Sequence, residues 1–386
     1  MKFFIDFATG SLNKQGEELC GDKVEFVQEK ENFIAVLSDG LGSGVKANIL
    51  ATLTAKIAIT MLKEGLPIEE VVDTIIHTLP VCSVRKLAYS TFTIIKVDKE
   101  GMVYVVEFDN PSVFFLRNHQ IIPLETTTKE INGRQIKESK FELMEKDILV
   151  FVSDGVIHAG AGMILNLGWS WKEVANYLQT VVHREMTAKT VTNLLLGVCE
   201  DLYIKRPGDD TTVAAIKATT PKKATLLSGP PVDKNKDKQM INSLMHTVGK
   251  KIVCGGTAAN MVARELDTEI KTSFEMLDPN IPPIGYIRGI DLVTEGILTL
   301  KGAVERLERV KVSKELDFLY AKDGASKLAR LLFEECTHIK LLVGRAINPA
   351  HQNPDFPNEL SIKLHVLHRL EEVLIHLGKI VEVEYY

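Results

Sequence analysis

Twice in this chain an unbroken apolar run ends in Ser-Asp-Gly. Phe33-Ile34-Ala35-Val36-Leu37 leads into Ser38-Asp39-Gly40, and Ile148-Leu149-Val150-Phe151-Val152 leads into Ser153-Asp154-Gly155. A short continuous apolar run bounded by turn residues reads as a buried strand. Each run therefore delivers one carboxylate to the end of a rigid element, beside a glycine that lets backbone pass close to a ligand. Taken singly, Asp-Gly after a strand is a turn signal. The repetition constrains the chain further: two buried strands, far apart in sequence, present the same group.

Other carboxylates occupy comparable places. Asp22 follows Gly21 and precedes a strand at Lys23–Gln28, and Asp209-Asp210 precedes a strand at Thr212–Lys217. Carboxylates converging on one point repel each other, and cations allow them to persist together. Oxygen ligands select Mg²⁺ or Mn²⁺ over zinc. Two such ions sharing carboxylates can lower the pKa of a water and clamp the oxygens of a phosphoryl group.

The elements between these points follow from periodicity. Phe3–Ala8 reads as a first strand. Val45–Lys63 and Ile68–Leu79 read as helices, the second opened by Pro67 and two acids. The period then falls to two over Ser90–Val97, Met102–Asp109, Val113–Arg117, Gln120–Pro123, Arg134–Glu142 and Asp147–Val152, which suggests an antiparallel meander. Helices are expected over about Ser170–His183 and Thr187–Tyr203.

Gly21-Asp22, Asp39-Gly40-x-Gly, Ser90-Thr91-Phe92, Ser153-Asp154-Gly155 and Gly208-Asp209-Asp210-x-Thr, in that order, resemble the metal-dependent protein serine/threonine phosphatases. The likeness is to their bacterial branch, typified by the stage II sporulation phosphatase, and covers about residues 1–218. It implies an α+β fold: an α-β-β-α sandwich of two antiparallel sheets between helical layers, with two Mn²⁺ or Mg²⁺ ions at one edge. It implies that Asp39 bridges the ions, that Gly40 lends a carbonyl, that Asp154 and Asp209 are ligands, and that Asp22 acts through water or as an outer ligand. Asp39 and Asp154 are the residues on which catalysis would turn, and Asp210 would stand behind them. Ser90-Thr91-Phe92 fits the small-residue strand behind such a site, and equally a plain strand start.

The sequence also departs from the larger eukaryotic-type enzymes. Leu41 stands where they carry a general-acid His after Asp-Gly, and no N-terminal phosphate-binding Arg is evident. The leaving-group acid is then unassigned: a metal-bound water or His158 could serve, and His158 reads more simply as a surface histidine. His158-Ala159-Gly160-Ala161-Gly162 fits either a mobile flap or a flexible loop.

Composition excludes several classes. With 386 residues, 25% charged and a net charge of −5, the chain offers no electrostatic case for nucleic acid or an anionic membrane. Cys20, Cys82, Cys199, Cys254 and Cys336 form no CxxC pair, which argues against structural zinc and for a reducing, cytoplasmic setting. No run of about 18 apolar residues is evident, and the start at Met1–Gly10 does not read as a signal peptide.

Residues 219–240, rich in Lys and Pro, read as a linker. Residues 241–386 read as a smaller α/β domain of no recognised family, with a strand at Lys251–Cys254, a helix to Leu266, helices near Thr294–Arg309, Gly324–Cys336 and Ile362–Leu377, and strands at Ile339–Val343 and Lys379–Tyr385. Gly255-Gly256-Thr257 could hold an anion or form a tight turn. Arg288, Arg345 and His351 could line a site. This half could take a small-molecule or protein ligand, or form a homodimer. The expected activity is hydrolysis of phosphoserine or phosphothreonine in a bacterial regulatory protein by a metal-bridging water. A non-catalytic phosphorylation-dependent scaffold and a two-metal hydrolase of a small phosphoester are the alternatives.

Overall fold

Both apolar runs that end in Asp-Gly are interior strands, and they lie in different sheets. The computed structural model describes residues 1–29, 31–78, 90–272, 284–313, 315–346 and 359–386. The chain divides into two compact units, Met1–Thr220 and Pro221–Tyr386. The first contains β1 (Phe4–Leu12), β2 (Asp22–Gln28), β3 (Asn32–Gly40), α1 (Gly44–Lys63), α2 (Ile68–Thr78), β4 (Ser90–Asp98), β5 (Met102–Phe108), β6 (Phe114–Arg117), β7 (Gln120–Ile121) and β8 (Thr127–Ile131). It continues with β9 (Arg134–Glu142), β10 (Ile148–Val152), α3 (Asp154–Ile157), α4 (Trp171–Val181), α5 (Ala188–Leu202) and β11 (Thr211–Thr219). One sheet has the order β2-β3-β4-β5-β9-β8 and the other β1-β11-β10-β6-β7. Every pairing in both is antiparallel.

Alternation along β3 and β10 explains why both are apolar throughout. Successive side chains point to opposite faces of a strand. Phe33, Ala35 and Leu37 of β3 meet Leu149 and Phe151 of β10 in the core between the sheets. Ile34 and Val36 face α1 and α2, where they pack on Ala55, Ala58, Val71 and Ile75. Ile148, Val150 and Val152 face α4 and α5, against Val174, Leu178, Val191 and Leu195. The result is the α-β-β-α sandwich expected of this region. A fully buried Leu or Phe contributes about 1.5–3 kcal/mol, so β3 and β10 are anchored from both sides, and so are the carboxylates at their ends.

The meander requires correction. After β5 the chain crosses to the other sheet at Asn110-Pro111, forms β6 and β7, and returns through β8 and β9 before β10. Periodicity reports alternation within a strand and is blind to which sheet the strand joins. Thr127–Ile131 was also unforeseen as a strand; most of its side chains are exposed. Leu79, placed at the end of the second helix by its pattern, lies outside the described residues.

Helix α1 is apolar and long enough to cross a membrane by length and composition, contrary to the reading of the sequence. Here Ala47, Ala51, Ala55, Ala58, Ile59 and Leu62 give it a buried face.

In the second unit, the linker expected at 219–240 is not one. Strand β12 (Lys223–Ser228) lies inside it and pairs in parallel with β13 (Lys250–Cys254) on one side and β17 (His338–Val343) on the other. Ala224, Leu226 and Leu227 are buried. Helix α6 (Asp237–Met245) follows, with Asp237 paired to Arg264 at 2.6 Å. The α/β unit therefore starts at Pro221 and not at 241. The remaining elements are α7 (Gly256–Glu265), β14 (Lys271–Thr272), β15 (Gly285–Tyr286), β16 (Leu292–Thr294), α8 (Ile297–Val312), α9 (Gly324–Glu334), α10 (Glu359–His376) and β18 (Ile380–Tyr385). The sheet order is β14-β15-β16-β13-β12-β17-β18. Helices α6 and α7 cover one face, and α8, α9 and α10 the other. Thr294, expected in a helix, closes β16 instead. Arg345 lies over the Tyr385 ring, Arg288 lines a groove beside Tyr286, and His351 is outside the described residues.

Candidate metal centre

Strand register sets the first part of the site. Asp22 of β2 stands directly opposite Asp39 of β3. Like charges directly opposed across a sheet are destabilising. On the other side of β3, Thr91 opposes Asp39 and Ser90 opposes Gly40. The Ser90 hydroxyl donates to the Asp39 carbonyl at 2.9 Å and also meets the Ser38 hydroxyl. Ser90 and Thr91 thus fix the end of β3 from the neighbouring strand.

The second sheet supplies the rest. Beyond β10, Ser153 caps the short helix α3, which starts at Asp154. The Ser153 hydroxyl accepts from Thr212 N–H at 2.8 Å, tying this turn to the start of β11. Gly155 makes the approach feasible: a Cβ there would stand 2.1 Å from the Asp210 carbonyl oxygen. Gly40 has the same role at β3, where a Cβ would stand 2.1 Å from the Ala47 carbonyl oxygen of α1. Both glycines of the repeated motif are required by close backbone approach.

Asp39 and Asp154, carried on different sheets, come within hydrogen-bond reach of each other. Burial pushes the Asp39 carboxyl well above the ordinary carboxylate range, and the Asp22, Asp154 and Asp209 charges push it further. Burial also raises Asp154, with Asp209 adding to it and His158 opposing it. Asp22 is raised chiefly by burial; the Ser153 and Thr212 hydroxyls lie near enough to moderate the shift. Even so, neither Asp22 carboxylate oxygen has a hydrogen-bond partner among the described residues, and both are buried. Asp210 Oδ1 accepts from Lys14 N–H at 3.0 Å, whereas its buried Oδ2 has no partner among the described residues. Asp209 is more exposed and lies 3.6 Å from the Lys14 ammonium.

A cavity of about 220 Å³ opens on this cluster, lined by Asp39, Asp154, Asp209 and Asp210 together with Ser90, Thr91, Asp109 and Arg134. Asp22 is not among its lining residues and stands beside Asp39 on the neighbouring strand. The structure thus gathers Asp22, Asp39, Gly40, Asp154 and Asp209 at one edge of the sandwich. His158 is exposed, one turn beyond Asp154, and does not line the cavity. Among the described residues no three His, Cys, Asp or Glu side chains stand in a closed, cation-ready arrangement. What the site offers is a touching carboxyl pair with orphaned carboxylate oxygens beside it. A proton or a cation must lie between such a pair, and oxygen-only donors suit a hard divalent ion.

The family model for stage II sporulation protein E (SpoIIE) matches residues 29–219. This segment is similar to the SpoIIE family, and the match covers just under half of the chain. The match spans both Asp-Gly strand ends and the Asp209-Asp210 pair. Asp22 lies just before it, brought in by β2. Among solved structures, this chain is similar to the PP2C phosphatase domain and a fragment of the regulatory domain of the cell fate determinant SpoIIE from Bacillus subtilis. Identity is 18%, 56% of this chain and 62% of that chain are covered, and the TM-score is 0.49. This chain therefore spans less than two thirds of that structure. It is also similar to the RsbU and RsbW domains of a Mycobacterium tuberculosis protein, at 17% identity, with 63% of this chain and 69% of that chain covered and a TM-score of 0.49. A third likeness is the SiaA-PP2C domain of Pseudomonas aeruginosa, at 16% identity, 54% and 85% coverage and a TM-score of 0.45. No curated protein matches.

Two lining residues escaped the reading of the sequence. Asp109 follows β5 with a positive φ of 53°, and Arg134 opens β9. The local signal for Arg134 was the Asn132-Gly133 turn before it. Nothing in the sequence tied that turn to the aspartates.

Proposed function

We propose that the SpoIIE-like domain hydrolyses phosphoserine or phosphothreonine in a bacterial regulatory protein, using divalent cations held at the Asp39–Asp154 edge. The observation that carries this is the meeting of two carboxyls, each delivered by an interior strand of a different sheet, at a cavity of about 220 Å³. Mn²⁺ or Mg²⁺ bound there would neutralise the carboxylates, activate a water and polarise the phosphoryl oxygens. Asp39 and Asp154 would hold the ions, with the Gly40 carbonyl, Asp209 and Asp22 completing the set and Asp210 supporting it. Their rigid strand ends orient the donors with little reorganisation, which is how such sites gain rate.

Cavity size favours a phosphorylated protein over a free small phosphoester. Pockets for small ligands usually hold about 300–1,000 Å³, and this one is smaller. It suits a phosphoryl group carried in on a larger surface. The non-catalytic scaffold is disfavoured because every aspartate of the expected set is present and gathered. The thiols Cys20, Cys199, Cys254 and Cys336 are free, which supports a reducing, cytoplasmic setting. The second unit would take a protein or small-molecule ligand.

The test compares a phosphoserine peptide, a phosphothreonine peptide and small sugar and nucleoside phosphates as substrates in Mn²⁺. The proposal expects kcat/KM for a phosphopeptide to exceed that for each small phosphoester by about tenfold or more. A preference for a small phosphoester would assign the domain to small-molecule hydrolysis instead.

A further inference from the structure

Arg134 brings positive charge to an otherwise acidic cavity. Among the described residues, five carboxyl groups line it: Asp39, Asp109, Asp154, Asp209 and Asp210. Among the described lining residues, Arg134 alone carries a full positive charge. It enters from the β8–β9 hairpin, an element separate from both Asp-Gly strands.

The hairpin is built to hold this residue in place. Asn132 (φ 49°) and Gly133 (φ 75°) form a two-residue turn in the left-handed region, and Ile131 pairs with Arg134 directly across it. That turn type matches the twist of the strands and leaves little play in register. Asn132 donates to Asp73 of α2, and Lys129 pairs with Glu69 of the same helix. Ile131 and Ile136 are buried in the core that packs on α2. Arg134 itself is only partly buried, so its guanidinium can exchange partners at the cavity.

We propose that Arg134 binds the phosphoryl group of the substrate, a role that rests on the phosphatase reading above. A phosphate monoester is a dianion at neutral pH, and a cavity lined mainly by carboxylates repels it. Asp39 and Asp154 would hold cations that offset this repulsion on one side of the group. A guanidinium on the hairpin offers two parallel N–H donors to its remaining oxygens, a geometry that a lysine ammonium cannot reproduce.

The test measures inorganic phosphate binding to the full-length chain by calorimetry, with and without Mg²⁺, for wild type, Arg134→Lys and Arg134→Ala. Steady-state kinetics on a phosphoserine peptide accompany it. Losing a charge-assisted contact is expected to weaken phosphate binding about tenfold to a hundredfold in Arg134→Ala, with Arg134→Lys between the two. KM should rise more than kcat falls, and the thermal midpoint should not move, because the side chain is not part of a core. Equal phosphate affinity in wild type and Arg134→Ala overturns the assignment, as does a wild type that binds no phosphate; in either case peptide turnover still supports the phosphatase reading. If wild type binds phosphate through Arg134 but cleaves no phosphoester, the anion site stands and the phosphatase reading falls.

Discussion

Asp22 and Asp39 sit opposite each other on neighbouring strands, with Asp154 touching Asp39 from another sheet. No ordinary packing requirement asks for that. The cost shows in the metal-free protein. In the folded state these carboxyls hold protons that the unfolded chain releases above the ordinary carboxylate range near pH 4. The folded state then binds more protons than the unfolded one, so stability falls as pH rises through and above that range. Urea unfolding in chelator is expected to give a lower midpoint at pH 8 than at pH 5.5. Asp39→Asn removes one of the opposed charges. It should raise stability at pH 8 in chelator by roughly 1–2 kcal/mol and flatten the pH dependence. A midpoint that rises with pH in chelator, or an Asp39→Asn protein less stable than wild type there, would contradict this account of the site.

At the scale of elements, the turn after β10 and the turn before β11 are fitted to each other through Gly155. Gly155→Ala forces a Cβ against the Asp210 carbonyl, and one side must move. The expected loss is about 1–3 kcal/mol of stability with at least a tenfold loss of kcat, because displacement of Asp154 disturbs the geometry of the site. A fully active, equally stable Gly155→Ala protein would show that the close approach is unimportant. Much at this scale was legible in the sequence. Continuous apolar runs marked β3 and β10 as covered on both faces, and the Asp-Gly pairs marked their ends. Arg134 was not legible, because only the pairing of β9 with β5 and the packing of β8 on α2 bring the hairpin to the cavity. The sheet switch at Asn110-Pro111 was hidden for a related reason: a turn residue tells where a strand stops and not where the chain goes next.

At the scale of the whole molecule, the boundary between units was obscured by composition. Lysines and prolines flank β12, and its six residues are too few to show a period, yet it is central to the second sheet. A fragment of residues 221–386 should therefore fold alone. One of residues 241–386, lacking β12, should not, since its removal separates β13 from β17. Circular dichroism and thermal melts decide this, and a cooperative melt for 241–386 would contradict the topology. Among the described residues the first unit has its own three cores, so residues 1–220 should melt cooperatively without the second.

The central claim is that Asp39 and Asp154 hold the divalent ions on which turnover depends. Its most direct test is hydrolysis of an aryl phosphate by the full chain in Mn²⁺, in Mg²⁺ and in chelator, with Asp39→Asn assayed beside wild type. Turnover in wild type that requires the metal and falls about a hundredfold or more in Asp39→Asn is predicted. Turnover that persists in chelator, or that is unchanged in Asp39→Asn, would contradict it.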